Sequence, residues 1–70
     1  MLEFIKLATY DFKGKRGEQV KCSKIRLKYY NLDICTSNPD VFELPLYTRF
    51  TAEIEASSDK VQNVIIKELL

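Results

Sequence analysis

Two glycines, Gly14 and Gly17, bracket the dipeptide Lys15-Arg16 between two runs in which polar and apolar residues alternate. This feature constrains the fold most. Glycine takes positive φ without steric cost, so a short glycine-flanked tip joining two period-two runs reads as a β-hairpin. The stretch 13–30 also holds seven of the eleven basic residues against a single acid, Glu18, a local charge of +6. The other residues carry four basic and nine acidic groups, or −5, so the overall +1 conceals a divided molecule.

The run before the hairpin, residues 2–12, puts Leu2, Phe4, Ala8, Tyr10 and Phe12 on one parity and Glu3, Thr9 and Asp11 on the other. It reads as a first strand, with Lys6 out of place on the mainly apolar face. Residues 13–19 form the turn and residues 20–30 the second strand. In that strand Ile25, Leu27 and Tyr29 alternate with Lys24, Arg26, Lys28 and Tyr30, but Val20 and Cys22 fall on the basic parity. A β-bulge near Ser23 and Lys24 would gather Val20, Cys22, Ile25, Leu27 and Tyr29 on one apolar face. Lys21, Lys24, Arg26, Lys28 and Tyr30 would then share the outer face. Cations in register repel one another unless an anion lies between them, so this face and the Lys13–Lys15–Arg16 loop predict one continuous anion-binding surface.

Asn31 is a turn residue, residues 32–36 a short third strand, and residues 37–40 a turn around Asn38 and Pro39. Residues 46–56 alternate most cleanly: Leu46, Phe50 and Ile54 are the expected core, with Ala56 on the same face, and Tyr47 and Arg49 face outward beside the basic surface. Residues 57–60 form a polar turn. Residues 61–70 fit a helix capped by Ser58, but the β-branched run Val64, Ile65, Ile66 favours a last strand. Five short strands with compact turns predict one all-β domain over residues 1–70, a five-stranded antiparallel barrel of the OB type. An SH3-like barrel is the nearest competitor.

Composition argues against an enzyme. The chain has no histidine, the commonest general base and metal ligand. Two separated cysteines cannot close a zinc site, and Gly14 and Gly17 do not have phosphate-loop spacing. Asp33, Asp40 and Glu43 lack a defensible metal-ligand spacing for a nuclease, and no cofactor is expected. No apolar run approaches the roughly 20 residues of a membrane span. Residues 2–7 contain Glu3 and Lys6, which interrupt the apolar core a signal peptide needs. Cys22 and Cys35 therefore read as reduced, half-buried strand residues of a cytoplasmic protein. So short a chain buries only about 60% of its unfolded surface, so a partner subunit, and hence a homodimer, is expected.

The segment Phe12-Lys-Gly-Lys-Arg-Gly-Glu-Gln-Val20, and Pro45-Leu-Tyr-Thr48 ahead of an alternating strand, resemble the small helix-destabilising, single-stranded DNA-binding proteins of filamentous phages. The hairpin tip here lacks their aromatic, Phe12 being the nearest. The resemblance implies a dimeric OB-type barrel in a bacterial or phage-infected cytoplasm, coating single-stranded DNA in preference to RNA. It implies phosphate contacts from Lys13, Lys15, Arg16 and Lys21, and base stacking by Tyr30 and Tyr47. Lys24, Arg26, Lys28 and Arg49 complete the candidate surface. The alternative is a protein-interaction module whose basic face meets an acidic partner, including the acidic surface of another copy around Glu53, Glu55 and Asp59.

Overall fold

The computed structural model describes residues 1–58 and 61–70, with the side chains of 56–58 set aside. The strands are β1 (Leu2–Lys13), β2 (Gln19–Leu27), β3 (Leu32–Thr36), β4 (Arg49–Ser58) and β5 (Val61–Leu69), and one short helix, α1 (Pro39–Phe42), joins β3 to β4. They close in the order β1-β2-β3-β5-β4, with β4 paired back to β1. The chain is a small all-β, OB-like barrel. Four of the five pairings are antiparallel; β3 and β5 run parallel and meet only through Cys35↔Val61 and Thr36↔Gln62. Residues 61–69 are strand, and Val64 in their β-branched run is fully buried. The expected turn at 57–60 falls partly on Asp59 and Lys60, outside the described residues.

The core is Phe4, Ile25, Val41, Phe50, Ala52 and Val64, with Phe4 and Phe50 stacked at 5.9 Å between ring centroids. Of the expected core residues of the fourth strand, Phe50 is buried, but Leu46 and Ile54 are 55% and 44% exposed. The reason is local. Residues 45–48 turn rather than extend, with Tyr47 at φ 69°, and β4 begins only at Arg49. Ile54 keeps the parity of Phe50 and Ala52 but lies past the β1–β4 pairing, which ends at Leu2↔Ala52, so β1 does not cover it. Tyr29, expected on the apolar face, is 88% exposed because β2 ends at Leu27 and Tyr29 sits at φ 73° in the following turn.

The bulge is on β1 instead of β2. The β1–β2 register slips between Lys6 and Ala8, leaving Leu7 as the extra residue, whereas every residue of β2 from Gln19 to Leu27 is paired. Ser23 and Ile25 therefore share the inner face, and Cys22, Lys24 and Arg26 share the outer one. Lys6 points inward: it is 3% exposed, and its Nζ donates to the carbonyls of Phe42 at 2.9 Å and Leu44 at 2.6 Å. Burial pulls its pKa below the ordinary lysine value. This buried ammonium ties the end of α1 to the barrel, aided by main-chain bonds from Lys6 N to Thr48 O and from Tyr47 N to Lys6 O.

Cys22 and Cys35 are bridged, contrary to the expectation of free thiols, with their Cα atoms 5.8 Å apart. The β2–β3 register sets Cys35 opposite Lys24, so Cys22 lies one pleat away on the same face, within the normal span of a disulfide.

Candidate nucleic-acid interface

The hairpin tip is shaped by its two glycines. Gly14 N donates to Glu18 O at 2.8 Å and Gly17 N to Gly14 O at 3.0 Å, and Gly17 sits at φ 79°. A Cβ at Gly14 would collide with the Glu18 carboxylate, which accepts from the Arg16 main-chain N–H at 3.0 Å. Lys15 and Arg16 are thus held out at the end of a two-stranded arm, both exposed. The arm is unpaired on both edges: β1 meets β4 only through Leu2–Ile5, and β2 meets β3 only from Ser23 onward.

The register sorts the expected cations into two groups. Lys13 and Lys21 lie on the face of the arm that continues the inner face of β2, and Lys21 Nζ stands 5.6 Å from the Phe42 ring centroid. Lys24 and Arg26 lie on the opposite, outer face, so the basic stretch is not the single continuous face expected. Its cations run round an arm about two strands wide. Arg49 joins the outer group, because Arg26 on β2 and Arg49 on β4 both pair with Ile5. Tyr30 and Tyr47 are exposed, at 71% and 67%, and both sit in turns.

The outer cations are also not left to repel one another. Asp33, opposite Arg26 on β3, accepts from Arg26 Nε at 2.6 Å and Nη2 at 3.1 Å, and stands 3.5 Å from Lys24 Nζ. Glu3 lies 3.2 Å from Lys28 Nζ. The hydrogen bond from Arg26 holds the Asp33 carboxyl below its ordinary pKa, while the bonds to Asp33 and to Glu3 raise Arg26 and Lys28 respectively. Anion demand on this face is thus partly met within the chain. Among the described residues, Lys13, Lys15, Arg16, Lys21 and Arg49 form no ion pair. Cations without an ion pair are concentrated on the hairpin arm.

Sequence reasoning missed Asp33 and Glu3 as partners and Tyr29 as a surface aromatic. The first was recoverable: pairing outward from a turn at Asn31 sets Leu27 opposite Leu32 and Arg26 opposite Asp33. Among the described residues no cluster of three or more potential metal ligands occurs, and no helix is long and apolar enough to cross a membrane. Comparison of the chain with protein-family models, curated proteins and solved structures finds no match.

Proposed function

We propose that the chain binds single-stranded nucleic acid, DNA in preference to RNA, with little sequence specificity. The observation that carries this reading is the arm tipped by Lys15 and Arg16, whose cations lack carboxylate partners among the described residues. A cationic track along phosphates, joined to aromatic faces for bases, is the physical requirement for holding a single strand. The OB-like barrel adds support by analogy, since OB folds use the face of strands 2 and 3 and the loop between strands 1 and 2 for oligonucleotides. The exposed Tyr30 and Tyr47 are the stacking candidates that fit this role. The reading places the protein as a homodimer in the cytoplasm of a bacterial or phage-infected cell, protecting single strands during replication. A disulfide is uncommon in that compartment, so the Cys22–Cys35 bridge bears on it directly.

One observation favours a second reading. Lys24, Arg26 and Lys28 already pair with carboxylates, those of Asp33 and Glu3, as they would with those of an acidic protein partner. Binding of the full chain to single-stranded and duplex DNA of equal length, at two salt concentrations, separates the two. Tighter, salt-sensitive binding to the single strand supports the first reading; no binding to either DNA at low salt overturns it.

A further inference from the structure

At the end of the sheet away from the hairpin, the outer surface is hollowed into a groove of about 420 Å3. Its floor follows from the register. Ile5 pairs with Arg26 on one side and Arg49 on the other, so two arginines flank one isoleucine across two strand spacings, about 10 Å. Lys28, Tyr29 and Glu3 also line it, giving three cations against one acid among the charged lining residues. Arg26 is held by Asp33 and Lys28 by Glu3; Arg49 forms no ion pair among the described residues. Tyr29 is 88% exposed, and Lys28 Nζ lies 4.9 Å from its ring centroid, which leaves one ring face free. Its φ of 73° is a conformation that bulky residues seldom adopt, and it holds the ring at the mouth of the groove.

We propose that this groove is a single-nucleotide subsite. It takes the phosphate on Arg49, the groove cation without an ion pair among the described residues, and the heterocyclic base on the free face of Tyr29. Guanidinium groups match phosphate oxygens in paired hydrogen bonds, and an aromatic ring accepts any base because every base has a π-face. Ile5 supplies an apolar floor for the sugar. The subsite rests on the strand-binding reading only for where its nucleotide comes from, a bound strand or free solution.

The test is an NMR titration of the full chain with thymidine monophosphate, thymidine, inorganic phosphate and oligothymidylate. It is repeated on Tyr29→Asn, which suits positive φ and keeps the turn, and on Arg49→Gln. Amide dispersion reports that each variant folds. The monophosphate is expected to shift Ile5, Tyr29 and Arg49, and more strongly than thymidine or phosphate alone. Tyr29→Asn is expected to weaken oligothymidylate binding by about 5- to 150-fold, the loss of one stacked base. If the oligonucleotide binds but both variants match the parent and the monophosphate leaves the groove unshifted, the subsite is wrong and strand binding stands. If the monophosphate shifts the groove and the oligonucleotide does not bind, the subsite stands on free nucleotide and strand binding falls. Absence of both overturns both.

Discussion

Asp33→Asn should make strand binding stronger and more sensitive to salt. In the parent chain this one carboxylate engages two cations of the outer face, Arg26 through paired hydrogen bonds and Lys24 at 3.5 Å. Five of the interface cations, Lys13, Lys15, Arg16, Lys21 and Arg49, form no ion pair among the described residues. Each phosphate contact on a single strand adds about −0.7 to the slope of log K against log salt, so these five predict a slope of about −3.5. Freeing Lys24 and Arg26 adds two contacts and steepens it to about −4.9. Between 50 and 200 mM salt the affinity should fall about 130-fold for the parent and about 900-fold for the variant. The assay is fluorescence anisotropy of labelled oligothymidylate across that range, with circular dichroism to show that the barrel is intact. A variant with the parent slope, or with weaker binding throughout, would refute the idea that Asp33 withholds these cations from the ligand.

Four further outcomes follow from the packing. Reducing the Cys22–Cys35 bridge, which spans a sequence separation of 13, should cost about 3 kcal/mol on the chain-entropy account and lower Tm by about 12–24 °C; a thiol titration of the native protein that finds two free thiols would contradict the bridge itself. Lys6→Met should destabilise by about 1–3 kcal/mol in urea denaturation, because the carbonyls of Phe42 and Leu44 lose their buried donor; a neutral effect would show that the ammonium is not needed there. Phe50→Ala, which removes a fully buried ring stacked on Phe4, should cost about 3–5 kcal/mol. That is enough to abolish a cooperative melt in a domain this small. Asp33 has a lowered pKa in the folded state, so its stabilising contribution is complete above the unfolded value of about 3.9 and is lost as pH falls through the folded one; the difference in urea midpoint between parent and Asp33→Asn should be flat near neutrality and shrink in strong acid.

The strand pattern was legible because period-two alternation and turn chemistry are local. Residues 32–36 match β3 at both ends, and the glycine-flanked tip lies where the hairpin turns. What failed was phase. The alternation break between Cys22 and Ile25 suggests a bulge on β2, but the extra residue is Leu7 on β1, where Ile5 and Leu7 had already disturbed the pattern. A bulge on either partner corrects the same mismatch between two strands, and one strand's sequence does not say which of them carries it. That choice moved Lys21 to the face opposite Lys24 and placed Cys22 beside Cys35. Leu46 and Ile54 were misplaced for other reasons: residues 45–48 turn, so β4 starts only at Arg49, and Ile54 lies past the end of the pairing with β1 at Ala52. The candidate site was legible as a list of residue types. It was not legible as a balance of charge, because compensation by Asp33 and Glu3 depends on cross-strand neighbours.

The account depends most on uncompensated positive charge at the hairpin tip gripping phosphates. Lys15→Ala combined with Arg16→Ala removes two such cations from an exposed turn without touching the core. Titrated with salt against labelled oligothymidylate, this double variant should bind more weakly and show a slope shallower by about 1.4 than the parent. A parent protein whose binding does not change with salt, or a double variant that keeps the parent's affinity and slope, would contradict it.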